Sequence, residues 1–227
     1  MRSESDKDLL CFGHLSCFNS LTEDELAFIQ KSTRSLFFKK GETICKQGSF
    51  APYVIFLSRG LAKIYMELTR EKQISTHLAK SGDFISFSSI FNNDEYNTSA
   101  AALVDADVCM IEKDAIISLL KSNSDFAYRI IARNWQEGNR LFSIINNLSF
   151  KQMAGKLAGT LIYFDDFAYD NLFDNLSRRE IAEFANISIE STVKLLKDFS
   201  AEGIIKLDGK TVLIKNRKAL EDIARKG

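Results

Sequence analysis

The chain has 227 residues, 45% of them hydrophobic, 11% aromatic and 26% charged, which describes an ordinary globular protein able to bury a core unaided. Lys and Arg number 30, as do Asp and Glu, so a histone-like or polybasic membrane-binding protein is excluded, though a locally basic site is not. One proline and 11 glycines exclude collagen-like or Pro-rich material, no apolar run approaches the ~18 residues of a membrane span, and the polar start Met1-Arg2-Ser3-Glu4 is unlike a signal peptide.

Thr22-Glu23-Asp24-Glu25 is a capping box ahead of Leu26, Phe28 and Ile29, and predicts a first helix. From about Leu36 to Ile111 the pattern changes to short β-branched and aromatic runs: Tyr53–Leu57, Leu61–Met66, Thr98–Val104 and Val108–Ile111. Gly41, Gly48, Gly60 and Gly82 punctuate them, as in an antiparallel sandwich or barrel. A helical register returns near Asp114 and runs long from Asp125 to about Leu148. Within it Ala127, Ile130, Asn134, Glu137, Leu141, Ile144 and Leu148 alternate at spacings of three and four, a heptad seam. Ile131, Trp135, Phe142 and Ile145 line a second face. A helix of about 24 residues rises ~36 Å, too long for a small barrel to cover, so one face is expected against a second copy of the chain. Ser149 reads as a fresh N-cap for a helix over Phe150–Tyr163, with a hinge near Asn146–Ser149 and a loop at Asp165–Asp170.

The last module is the most legible. Residues from Leu176 to Gly227 carry 11 Lys/Arg against 8 Asp/Glu, so the basic balance lies here. Ser177-Arg178-Arg179-Glu180 is a second capping box, opening a short helix with Ile181, Ala182, Phe184 and Ala185 inward. Asn186 stands where that helix must stop, and asparagine tolerates the left-handed backbone of a tight turn. Ser188 caps the next helix, which turns Thr192, Leu195, Leu196 and Phe199 inward and Glu190, Ser191, Lys194 and Lys197 outward. After Gly203, Ile204–Leu207, Asp208-Gly209 and Lys210–Ile214 read as strand, two-residue turn, strand. Helix, tight turn, helix and hairpin make a winged helix-turn-helix. A recognition helix presents its N-terminal residues to base edges in the major groove. Ser188, Ile189, Glu190, Ser191 and Lys194 are therefore the candidate readers, with Glu190 able to accept from cytosine and Lys194 to donate to guanine or phosphate. Arg178, Lys197 and Lys210 are the candidate phosphate contacts.

With these motifs in hand, the chain resembles the Crp/Fnr family of bacterial transcription regulators over nearly its whole length. Phe38-Lys39-Lys40-Gly41-Glu42-Thr43-Ile44-Cys45-Lys46-Gln47-Gly48 and Ser58-Arg59-Gly60-Leu61-Ala62-Lys63 are similar to the opening of that family's β-roll, and Leu176–Phe199 to its recognition motif. The resemblance implies an α+β chain in three parts. Residues 1–124 form an N-terminal helical segment and a cyclic-nucleotide-binding-like antiparallel β-roll of jelly-roll type. Residues 125–148 form the dimerisation helix, and 149–227 the winged helix-turn-helix. It further implies a cytoplasmic homodimer, with double-stranded DNA and RNA polymerase as partners, and no enzyme. The two histidines, His14 and His77, and the lack of a nucleophile elbow or phosphate loop agree with that last point. The alternative is a ligand-binding module that works through protein partners.

The family's nucleotide cassette falls around Gly82–Phe91 and Asn97–Ala100. By similarity a ribose-binding glutamate should stand near Phe87 and a phosphate-binding arginine at Thr98, and neither is there; only Ser99 is kept. cAMP is therefore not the expected effector, because a cyclic phosphate needs a fixed cation or a dense set of donors. Phe84, Ser86, Phe87, Ser88, Thr98 and Ser99 are the candidate lining of an effector pocket, with the phenylalanines more readily read as core. The four cysteines, too sparse for a disulfide scaffold, are expected as reduced thiols. Cys11, His14 and Cys17 form a C-x2-H-x2-C set. With Asp8 and Cys109 they resemble, one thiolate short, the iron-sulfur ligands of the Fnr branch. A metal-free chain is the primary expectation, with an iron-sulfur cluster or haem as the alternative.

Overall fold

A computed structural model describes residues 18–69, 72–91, 94–132 and 151–227. The chain divides into two compact units, the first containing residues 1–70 and 77–138, the second 71–76 and 139–227.

Among the described residues of the first unit, a 3-10 turn (Phe18–Ser20) leads into helix α1 (Glu23–Lys31), where the capping box forms as expected: the Thr22 hydroxyl accepts from the Glu25 N–H, and the Glu25 carboxylate accepts from the Thr22 N–H. Among the described residues eight strands follow in the chain: β1 (Thr33–Phe38), β2 (Thr43–Cys45), β3 (Tyr53–Arg59), β4 (Leu61–Glu67), β5 (Gln73–Lys80, of which residues 77–80 belong to this unit), β6 (Phe84–Ile85), β7 (Ser99–Ala102) and β8 (Ala106–Glu112). They form two four-stranded sheets, ordered β1-β8-β3-β6 and β2-β7-β4-β5, and the pairs β1–β8, β3–β8, β3–β6, β2–β7 and β4–β7 are antiparallel. Helices α2 (Lys113–Ser122) and α3 (124–132) complete the unit.

Strands β3 and β8 show why the apolar runs look continuous in sequence. On β3, Ile55 and Leu57 join Ile44, Ala62, Ile64 and Ala100 between the two sheets. The alternate residues Val54 and Phe56 join Phe18, Ile29, Ile116, Leu119, Phe126 and Ile130 beneath the helices. Ala106 and Val108 of β8 face the first cluster, and Cys109 and Ile111 the second. A strand buried on both faces loses the alternation that marks a half-exposed one.

The second unit contains α4 (Met153–Asp166), a 3-10 turn (Leu172–Asn175), α5 (Arg178–Ala185), α6 (Ile189–Ala201), the hairpin β9 (Ile205–Asp208) and β10 (Thr211–Ile214), and α7 (Arg217–Lys226). Helices α4 and α7 approach so closely that a Cβ on Gly155 would lie 2.5 Å from the Gly227 carbonyl carbon.

Several expectations need correction. Helix α4 begins at Met153 with Gln152 as its N-cap, and runs through Asp166. The N-cap is thus not the expected Ser149, which lies outside the described residues, and Asp165 and Asp166 are helical, held by ion pairs to Arg217 at 2.7 and 2.8 Å. Strand β5 and helix α7 were not foreseen. The expected dimer helix is described only at its start: Ile130 is buried, while Asn134, Glu137, Leu141 and Ile144 lie outside the described residues. Among the described residues no helix is long and apolar enough to cross a membrane.

Candidate nucleic-acid interface

The interface is assembled by three local devices. Ser177 caps α5 through a full capping box, its hydroxyl accepting from the Glu180 N–H while the Glu180 carboxylate accepts from the Ser177 N–H at 2.6 Å. Asn186 then ends α5 in the left-handed conformation, φ 51° and ψ 50°. Two residues later Ser188 caps α6, its hydroxyl accepting from the Ser191 N–H at 3.0 Å. Together they set a tight turn between two short helices.

The inward face of α6 is Thr192, Leu196 and Phe199, all buried, with Leu195 half-buried. Thr192 also donates its hydroxyl to the Ser188 carbonyl at 2.9 Å. Opposite them stand Ser188, Glu190, Lys194 and Lys197, all exposed, and Ile189, an aliphatic side chain left 44% exposed. Ser191 is half-buried and accepts the Ser188 hydroxyl at 3.0 Å. The Glu190 carboxylate is held below the ordinary carboxylate range by its own backbone N–H and by Ser188. It is thus an ionised acceptor at neutral pH, and stays one further into acid than an ordinary glutamate.

The hairpin pairs Thr211 with Asp208, so the two turn residues are Gly209 and Lys210 and not the expected Asp208 and Gly209, with the Lys210 side chain exposed. Arg178 does not stand free: it is half-buried and donates from Nη2 to the Gly209 carbonyl at 3.1 Å.

In the β-roll, the six candidate pocket residues do not share one lining. Phe84 and Phe87 are buried in the cluster beneath the helices, with ring centroids 5.1 Å apart and Phe56 5.1 Å from Phe84. Their core role displaces the pocket reading. Ser88 is exposed. Ser86, Thr98 and Ser99 form part of a separate polar group. The Ser86 and Thr98 hydroxyls lie 2.8 Å apart, and Ser86 adopts a positive φ of 53°. Ser99 is buried, accepts from the Gln47 N–H at 2.9 Å and donates to the Glu67 carboxylate at 2.8 Å. The Glu67 N–H in turn donates to Gln47 Oε1 at 2.8 Å. Sequence reasoning missed Gln47 and Glu67, which reach Ser99 only through the fold.

Burial pushes the Cys45 thiol up to about 11, so it is neutral at physiological pH and a poor nucleophile or ligand. Cys109 is buried beneath the helices and is disulfide-bonded. The expectation of four reduced thiols is thereby corrected, and Cys109 in this state is no thiolate ligand for a cluster. Asp8, Cys11, His14 and Cys17 lie outside the described residues. Among the described residues no group of three or more metal-ligating side chains occurs.

Comparison with known proteins agrees with this layout. Residues 35–123 match the cyclic nucleotide-binding domain family, and residues 155–223 the Crp-like helix-turn-helix domain family. The CRP-like cAMP-activated global transcriptional regulator of Mycobacterium tuberculosis is 23% identical over 92% of this chain and 96% of its own. The cyclic AMP receptor protein of Thermus thermophilus is 20% identical over 91% and 95%. Among solved structures, FixK2 from Bradyrhizobium japonicum superposes with a TM-score of 0.75 at 18% identity, covering 84% of this chain and 96% of that one. A Crp/Fnr-family regulator from Eubacterium rectale gives 0.73 at 19%, covering 92% and 98%. With a cyclic nucleotide-binding domain followed by a Crp-like helix-turn-helix in that order, the chain belongs to the Crp/Fnr family of DNA-binding transcription regulators.

Proposed function

We propose that this chain is a cytoplasmic homodimer that binds a palindromic DNA operator through α6 and engages RNA polymerase, performs no catalysis, and answers to an effector other than cAMP. The observation that carries the reading is the exposed polar face of a doubly capped helix-turn-helix. Glu190 offers an ionised acceptor to a cytosine amino group, and Lys194 a donor to guanine or phosphate. Ser188 and Ile189 stand beside them, while Lys197 and Lys210 neutralise phosphates. Dimerisation is supported by α3, where Phe126 and Ile130 are buried while Tyr128 and Ile131 stay 74% and 66% exposed. A second apolar face on one helix needs a second cover.

The family resemblance calls for a phosphate-binding arginine at Thr98 of the β-roll, and this chain has none there. Here the Ser99 hydroxyl is already committed to a carboxylate, Glu67. A cyclic phosphate entering that position would meet a negative charge, and the sequence holds no arginine between Glu71 and Tyr128 to offset it, so the residues present do not fit the nucleotide. Titration calorimetry with cAMP should give no saturable heat, and a submicromolar dissociation constant would contradict the assignment. For the DNA reading, Glu190→Ala should lose about 1–3 kcal/mol of discrimination at the base pair it reads. The check is competition between an operator selected from random duplexes and its single-base variants. Unchanged discrimination at every position would remove Glu190 from the reading face.

A further inference from the structure

Arg178 is the first residue of α5, where a cation opposes the helix dipole and gains nothing from the helix itself. What it gains lies across the unit. Its Nη2 donates to the Gly209 carbonyl, 31 residues away, at the apex of the β9–β10 turn. Its Nη1 is shut off from solvent and has no hydrogen-bond partner among the described residues. Burial also lowers the guanidinium pKa, as expected of a group partly withdrawn from water. On the other flank of the turn, the Thr211 hydroxyl donates to the carboxylate of Asp174, in the 3-10 turn that precedes α5. The residue between these two anchors is Lys210, whose side chain is exposed.

We propose that Arg178 is a positioning residue and not a phosphate contact. With the Asp174–Thr211 bond it clamps the wing to the helix-turn-helix, so that Lys210 is presented at a fixed place relative to α6. The inference rests on the DNA-binding reading above for its purpose, though not for its geometry. A nitrogen walled off from solvent cannot meet a phosphate directly. A guanidinium spent on a main-chain carbonyl instead transmits its effect through the wing, and the planar fork that allows this is absent from lysine.

The test uses the full chain, a mixed-sequence DNA duplex and two readouts. Arg178→Gln and Arg178→Lys should each speed hydrogen exchange at the amides of residues 207–213 and weaken duplex binding about tenfold, as expected for a lost charge-assisted hydrogen bond. The slope of log affinity against log salt should fall by about 0.9 in both variants, because a loosened wing no longer holds Lys210 against its phosphate and lysine at 178 cannot restore the clamp. Lys197→Gln is the contrasting variant: slope reduced by about 0.9, wing exchange unchanged. Two results overturn the proposal: unchanged wing exchange in Arg178→Gln, or a slope reduced by about 0.9 that Arg178→Lys restores. If the unsubstituted chain fails to bind the duplex, the DNA reading falls, while the exchange data still decide whether Arg178 holds the wing.

Discussion

Phe164→Ala should destabilise the C-terminal unit by about 3–5 kcal/mol, the range for emptying a buried aromatic site. Phe164 is 1% exposed on α4. Its ring meets Phe184 of α5 at 5.1 Å and 81°, and Phe173 of the 3-10 turn at 5.9 Å and 85°, both edge-to-face. Truncation removes the transfer energy of the ring, leaves a cavity, and forfeits two oriented aromatic pairs. Small domains are stable by only about 5–15 kcal/mol, so this loss is a large share of the whole. Urea denaturation of the full chain, followed by hydrogen exchange in each unit, should show the loss confined to residues 151–227. DNA binding should weaken as well, since Phe184 sets α5 and α5 sets the turn into α6. A loss below about 1 kcal/mol would contradict the central place given to this ring cluster.

Gly60→Ala is the second large effect, in the other unit. Gly60 joins β3 to β4 at φ +105°, outside the region open to side-chain-bearing residues. A Cβ there would stand 2.7 Å from the Asp105 carbonyl oxygen and 2.9 Å from Cα and Cβ of Ala106, the first residue of β8. Backbone strain of about 1–3 kcal/mol adds to an overpacking cost of about 1–3 kcal/mol, because buried Ala106 has nowhere to retreat. The neighbouring turn supplies the control: Gly48 also has a positive φ, yet a Cβ there meets nothing within 4 Å. Gly48→Ala should therefore pay the backbone strain alone. Equal losses for the two variants, measured by chemical denaturation, would show that the contact with β8 costs nothing.

Features written within four residues were legible in the sequence. The boxes at Thr22–Glu25 and Ser177–Glu180, the left-handed stop at Asn186 and the cap at Ser188 all form where local chemistry placed them, and the hairpin forms with its two-residue turn one place further on, at Gly209-Lys210. That is why the recognition unit could be read residue by residue. What depends on the far side of the fold could not. Strand β5, Gln-Ile-Ser-Thr-His-Leu-Ala-Lys, carries little strand signature and forms because β4 and its own buried residues hold it. Phe84 and Ser86 are two residues apart, yet one packs beneath the helices and the other joins Thr98 and Cys45. No local pattern could divide that set. Glu67 on Ser99 and Arg178 on Gly209 span 32 and 31 residues, and only the folded chain makes them neighbours. The start of α4 shows the reverse error: the helix begins at Met153 behind Gln152, a residue with no capping preference that local chemistry would have picked out.

The most direct test of the account is selection of duplexes from a random pool by the full chain, followed by titration of the winner and a scrambled control across salt. The expected product is an inverted repeat with half-sites about one helical turn apart, as two α6 helices in successive major grooves require. Affinity should also fall steeply with salt on both duplexes, while preference for the repeat persists. Recovery of no common sequence, with the selected and scrambled duplexes bound equally at every salt concentration, would contradict the account.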